Sequence, residues 1–382
     1  MKKLLGILVL GLGIVLSIPN STFAVNTCDF NTVDGNAITS SYADLGEQHI
    51  CVASDVMDIT SGIMTRSAQP IKSQNNIFTL TNSGTIEARG GSIAILSQGD
   101  DTTITNNTSG IIQVTDAGKS NGIKSQGDTF ILINNGTIQS PILAVNVSGA
   151  SATITNSKTI FGTTERAIQL TSTGHKITNE SEGTIQAGES SWDSNDKLAV
   201  ALLSGAHNLI LDNYGTINAG SNTVKTQSTN MTLTNYSGGT ISAQADASGL
   251  KAIFVDGNDN TIINYGTISG AGDTASINVN SGITGTNIVL GGSPTFTGEI
   301  DLESTATTIT LSCDLSKDID LEVVRKTNMT VTDNLCGNDT YEILDSSKNA
   351  DADNSETNGY IRIDEGLEVV SNNASYRSEN VL

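Results

Sequence analysis

The sequence predicts an all-β protein, a right-handed parallel β-helix with three short strands per coil, a small N-terminal cap and a β-rich C-terminal segment. Three observations predict it. First, one motif recurs: Leu132-Ile133-Asn134-Asn135-Gly136-Thr137-Ile138 has shorter relatives at Asn82-Ser83-Gly84-Thr85-Ile86, Asn156-Ser157-Lys158-Thr159-Ile160, Asn213-Tyr214-Gly215-Thr216-Ile217 and Asn264-Tyr265-Gly266-Thr267-Ile268. Forms with two extra turn residues begin at Asn106, Asn179 and Asn235. The leading asparagines, Asn82, Asn106, Asn134, Asn156, Asn179, Asn213, Asn235 and Asn264, are spaced by 24, 28, 22, 23, 34, 22 and 29 residues. A floor near 22 with occasional insertions is the mark of a solenoid. Second, the pieces between turns alternate with the period of 2 that a half-buried strand requires. Third, aromatic residues make up only 4% of the chain. Stacked coils bury small aliphatic side chains between neighbours and need few large rings. The left-handed hexapeptide kind of β-helix would show a period of about 6, which this chain does not have.

Each repeat divides into three extended pieces. The first is a run such as Ser92-Ile93-Ala94-Ile95 or Lys251-Ala252-Ile253-Phe254-Val255. A polar turn such as Gly99-Asp100-Asp101 follows, then Thr103-Ile104-Thr105-Asn106 or its equivalent. A tight glycine-containing turn leads to the third piece, which opens with Thr-Ile. Threonine is β-branched and suits an exposed strand face. An apolar residue stands two positions before each asparagine, and residues two apart share a strand face. The asparagines therefore point inward with the core. A lone buried amide is costly, whereas amides stacked in register bond along a ladder, as in cross-β stacks. At about 4.8 Å per coil, nine or ten coils make a rod roughly 45 Å long.

Taken in order, residues 1–24 read as a secretory signal. Lys2 and Lys3 precede an apolar run from Leu4 to Leu16, and Pro19 precedes a cleavage-like Thr22-Phe23-Ala24. The apolar run is short for a membrane-spanning anchor. Residues 25–66 lack the repeat and read as an N-terminal cap, because an open solenoid end needs covering. Repeats run over 67–297. The longest interval holds Ser190-Ser191-Trp192-Asp193-Ser194-Asn195-Asp196, an inserted loop with the only tryptophan. Protruding loops of this kind are where a solenoid's specificity usually resides. Residues 298–382 lose the period and carry 18 acidic against 6 basic residues, a net −12 of the chain's −21. Here Tyr360-Ile361-Arg362-Ile363 and Leu367-Glu368-Val369-Val370 read as strands, with Asn358-Gly359 and Glu365-Gly366 as turns. The four cysteines fall in two local pairs, Cys28 with Cys51 and Cys313 with Cys336, each 23 positions apart and just outside the repeats. In an oxidising compartment they suit two staples flanking the rod, although sequence leaves the connectivity open.

Signal segment, cap, Asn-x-Gly-Thr-Ile coils and a stapled acidic tail together resemble the passenger region of a bacterial autotransporter (type V secretion). The resemblance spans essentially the whole chain. It implies an exported, non-enzymatic passenger at the surface of a Gram-negative bacterium or outside it, a structural or adhesive rod with an extracellular glycan, cell-surface or matrix ligand. In that family a translocator barrel in the outer membrane follows the passenger. A barrel needs many tilted strands with an apolar outer face, and this sequence has none, which reads as a fragment ending before the barrel.

The alternative is a β-helical polysaccharide-active enzyme, a lyase or glycoside hydrolase, which would need clustered carboxylates on adjacent coils. Asp100-Asp101 is the best pair, and Lys72, Lys124 and Lys225 recur at the end of the first strand but with coils between them. Only His49, His175 and His207 could serve as imidazoles, so no Ser-His-Asp arrangement or other catalytic residue is assigned. By register His175 faces inward. No cofactor or metal is expected. Asp256-Gly257-Asn258-Asp259-Asn260 has oxygen ligands in an EF-like order but lacks the glycine and glutamate of a calcium loop. A net charge of −21 disfavours nucleic acid.

Overall fold

The computed structural model describes residues 30–32, 50–52, 56–59, 63–66, 69–74, 76–116, 121–188, 198–244, 250–271, 275–303, 306–315, 319–325, 330–333, 339–346, 357–365 and 374–377. They form a parallel β-helix of three sheets, with 16, 12 and 10 strands. A coil places one strand in each sheet in turn. Leu143–Val147 lies in the first sheet, Thr153–Asn156 in the second and Thr159–Gly162 in the third. Each strand pairs in parallel with its equivalents one coil before and one coil after.

Alternation in the sequence becomes alternation of burial. On the first sheet, Ile71, Ile95, Ile123, Val145, Ile168, Val200, Val224, Ile253, Ile277, Ile300 and Val323 are consecutive register partners, all fully buried. The second sheet stacks Leu80, Ile104, Leu132, Ile154 and their successors to Ile309, and the third stacks Ile86, Ile112, Ile138 and theirs to Ile268. Aliphatic side chains thus meet like side chains about 4.8 Å away, and the core is one continuous column. Threonines such as Thr79, Thr103, Thr153, Thr232 and Thr261 occupy the outward positions of the second sheet.

The coils extend beyond the stretch that the motif marks. Ile50–Val52, Val56–Ile59 and Ile63–Arg66 already pair in register with the coil from Ile71 to Ala88. Past residue 297, Ile300–Leu302, Ala306–Leu311, Ile319–Arg325 and Thr330–Asp333 continue parallel pairing in two of the sheets. The asparagine signal stops earlier because other residues fill its position: Ile59 pairs with Asn82 at one end and Leu290 with Asn264 at the other. The direction changes where Ile319–Arg325 pairs antiparallel with Thr357–Glu365, which in turn pairs with Asp339–Ser346. Asn358-Gly359, expected as a turn, lies inside that strand, with Gly359 opposite both Val323 and Asp345. Pairing along both edges overrides a local turn preference. Residues 1–24, the Trp192 loop, the Leu367–Val370 stretch, Cys28 and Cys336 lie outside the described residues.

The turn between the first and second sheets repeats one backbone device. Ile77, Asp101, Thr129, Ser151, Gly174, Asn208, Asn230, Asp259 and Gly285 all have positive φ, from 54° to 75°. Each stands five residues before the second-sheet position that holds an asparagine, or Leu290 in the last case. Glycine, asparagine and aspartate visit this region readily, but β-branched residues are strained there. Ile77 is the clearest misfit, with φ 63° and its side chain 61% exposed. Ile77→Asn should therefore stabilise the protein by about 1 kcal/mol, read as a rise in the denaturant midpoint with an unchanged slope.

Candidate functional site

The eight asparagines sit at one inside corner, where the second sheet turns into the third. All are fully buried. Asn82 Nδ2 donates to Asn106 Oδ1 at 2.8 Å, and the same bond links 106 to 134, 134 to 156, 156 to 179, 179 to 213, 213 to 235 and 235 to 264, at 2.8–2.9 Å. The six amides from Asn106 to Asn235 also donate to a carbonyl of their own turn, as Asn134 does to Gly136 O at 3.1 Å, and to one in the next coil, as Asn134 does to Thr159 O at 3.0 Å. The bonds all run one way, from lower to higher residue number. Asn264 Nδ2, facing Leu290, has no acceptor among the described residues.

Beside the ladder, the turn residue before the third strand is glycine in almost every coil. The reason is a close approach: a Cβ at Gly110, Gly136, Gly183, Gly215, Gly239 or Gly266 would come within 2.2–2.6 Å of the asparagine side chain or of carbonyls in the coil below. Lys158 is the exception. The backbone of this turn still bonds to both neighbouring coils, Thr159 N to Gly136 O at 3.1 Å and Thr184 N to Lys158 O at 2.6 Å. A shallow groove of roughly 400 Å³ opens here, lined by Thr108, Asn135, Ser157, Lys158, Glu180, Ser181 and Glu182. Lys158 Nζ lies 2.6 Å from Glu182 Oε2, and this pairing holds the Glu182 carboxyl below its usual value. Both side chains are exposed, so the pair adds little stability.

The next coils along the same corner carry tyrosine directly after the asparagine. Tyr214 and Tyr236 stack with centroids 4.1 Å apart and planes within 8°. Tyr265 continues the stack at 6.5 Å and 17°. Tyr265 in turn lies against Gly291-Gly292, where a Cβ on Gly291 would meet Tyr265 Cε1 at 2.3 Å. Hydrogen bonding to Tyr214, burial and the nearby Asp212 carboxylate raise the Tyr236 phenol to about 12.

Other residues singled out by sequence serve contacts between coils. Asp100 and Asp101 are exposed in a turn, where Asp100 Oδ1 accepts from Asp128 N at 2.9 Å and Asp101 supplies the positive φ. Lys72 and Lys124 are separated on the first sheet by Leu96, and Asn146, Gln169 and Ala201 stand between Lys124 and Lys225. Lys225 lies 5.6 Å from the Phe254 ring centre. The oxygens of the 256–260 turn are engaged as well. Asp256 Oδ1 accepts from Asn280 Nδ2, Asn258 Oδ1 from Thr284 N, and Asn260 Oδ1 from Met231 N. His175 is 1% exposed and its Nδ1 accepts from Ala152 N. Burial lowers its pKa. Cys313 is disulfide-bonded.

Two outer amide ladders were not anticipated. Gln74 donates to Gln98 and Gln98 to Gln126, while Gln139 donates to Gln113 and Gln113 to Glu87. Burial pushes the Glu87 carboxyl up, but Arg89, Gln113 and Thr115 outweigh it and hold it below its usual value. The recurrence of Ser-Gln at 73–74, 97–98 and 125–126 was the available signal for the first ladder. Compared with protein-family models, curated proteins and solved structures, the chain matches none.

Asn156→Leu removes the donor to Asn179 Oδ1 and to the Lys158 and Thr184 carbonyls, all at a buried corner. It should cost about 2–4 kcal/mol in chemical denaturation. Asn264→Leu removes the acceptor of Asn235 Nδ2 and Gly266 N but also a donor that has no partner of its own among the described residues, so it should cost less than Asn156→Leu, about 1–2 kcal/mol. The raised Tyr236 pKa sets an alkaline limit. An unfolded tyrosine ionises near pH 10, so the stability linked to the neutral phenol is intact below that value and is lost as pH climbs towards about 12. Tyr236→Phe should show a shallower loss of stability over that window, with the step near 12 missing from the phenolate absorbance titration.

Proposed function

We propose that this chain is an exported, non-enzymatic β-helical passenger of the autotransporter kind, a structural or adhesive rod at or beyond the surface of a Gram-negative cell. The observation that carries it is the rod itself: a single aliphatic column and a buried amide ladder hold coil over coil along most of the described chain. Such an object projects surface chemistry at a fixed repeat, which suits many weak contacts acting together. The signal-like residues 1–24 and the disulfide at Cys313 support passage through an oxidising compartment. An extracellular glycan or matrix surface is the ligand class this reading favours. The engagement of Asp100 in a coil-to-coil contact supports a structural over a hydrolytic role for that turn.

Expressed from its own start in a Gram-negative host, the protein should be recovered outside the cytoplasm without residues 1–24, as read by N-terminal mass spectrometry. Beads bearing clustered copies should adhere to host cells or matrix. Retention in the cytoplasm with an intact N-terminus would count against export. Release of soluble sugar from acidic polysaccharides, abolished by Asp100→Ala, would replace the adhesive reading with an enzymatic one.

A further inference from the structure

Within this adhesive reading, on which the inference rests, we propose that the corner running from the Lys158 groove to Tyr214 is a binding strip for an uncharged glycan chain. The argument begins with the asymmetry of the tyrosine stack. One face of the Tyr214 ring is covered by Tyr236 at 4.1 Å, and the far end of the stack is closed by Tyr265 against Gly291-Gly292. The remaining face of Tyr214 looks along the rod axis in the other direction. Tyr214 N bonds to Asn179 O, so the coil on that side is the one carrying Glu180, Ser181 and Glu182, whose side chains line the groove. Tyr214 is also the most exposed ring of the three, at 37%. An aromatic face and a polar groove therefore adjoin at one place on the rod.

Sugar rings present the complementary pattern, with a face of C–H groups and a rim of hydroxyls. A tyrosine face takes the first, and amide, hydroxyl and carboxylate side chains take the second by hydrogen bonding. Asn135, Ser157, Glu180 and Ser181 supply those groups. The charges in the groove are one lysine against two glutamates, with the lysine already beside Glu182. The chain as a whole is −21. Both facts disfavour an anionic polysaccharide. The groove spans the coils of Thr108, Asn135, Ser157 and Glu180, and Tyr214 follows on the next one. At about 4.8 Å per coil, the strip is roughly 20 Å long, which suits an extended chain of several sugars laid along the axis. The site also stands where the repeat breaks its own rule. Lysine replaces the turn glycine, and tyrosine replaces the small or polar residues found after the asparagine in earlier coils. Departures from local regularity that the fold does not require are where function is sought.

The test titrates the full chain with cellohexaose, chitohexaose and maltohexaose, with hexagalacturonate as the anionic comparator, by calorimetry and saturation-transfer NMR. At least one uncharged hexasaccharide should bind, and hexagalacturonate should bind at least tenfold more weakly. Tyr214→Ala should weaken binding at least tenfold and Tyr214→Trp should retain it. Lys158→Gly, which restores the repeat residue, should also weaken it, while Lys124→Ala on another face should leave it unchanged. Circular dichroism and the unfolding midpoint establish that each variant is folded. Binding of none of the three, or binding indifferent to a folded Tyr214→Ala, overturns the strip. Adhesion of clustered copies to cells that persists in Tyr214→Ala also overturns it, while leaving the adhesive rod standing.

Discussion

The hydrogen bond from one buried asparagine amide to the next is the contact on which the register of the rod depends. Aliphatic columns alone would tolerate a sliding coil, because leucine over isoleucine costs nearly the same in several offsets. An amide cannot slide. Shifted by one residue it would face outward, and shifted by two it would leave a buried donor and acceptor unpaired. The seven amide-to-amide bonds therefore specify which residue of each coil lies over which residue of the last. Because the bonds point one way, each polarises its neighbour in the same sense.

The rest of the coil is arranged around that corner. Five residues upstream the chain enters the second sheet through a left-handed residue, and just downstream it leaves through a glycine pressed on the coil below. From the left-handed residue to the asparagine the strand has a set length, whereas the turns vary: the glycine stands two residues after Asn134 but four after Asn106, Asn179 and Asn235. Insertions fall in that turn and in the stretches leading into or out of the first sheet, so the spacing of the asparagines varies while the distance from positive-φ residue to asparagine does not. Where the ladder ends, Ile59 and Leu290 take over the same position and extend the apolar column.

Against that regularity, the Lys158 turn and the tyrosine stack are departures. The lysine stands where the other asparagine turns carry glycine. The tyrosines bring three of the chain's 15 aromatic residues to one edge. Neither is needed to bury the core, which the aliphatic columns already fill.

The sequence by itself determined the coil: the motif interval, the two-residue step from aliphatic to asparagine and the scarcity of aromatics suffice, because stacking copies the same local chemistry at every level. It also marked the eight inward asparagines. What it could not place were the ends and the edges. Coils before residue 67 and after 297 lack the asparagine, and the antiparallel pairing of Thr357–Glu365 absorbs an Asn-Gly that reads locally as a turn. Only the tertiary structure showed that Lys158 and Glu180 line one groove on the corner that Tyr214 continues, although the three lie 22 and 34 residues apart in the chain. It also showed that the tyrosine stack is closed at one end by Gly291-Gly292, and that the coil at its other end is the one carrying Glu180. Strand periodicity tells which face a side chain takes, but its neighbours across coils depend on the inserted lengths, and those are settled only when the coils stack.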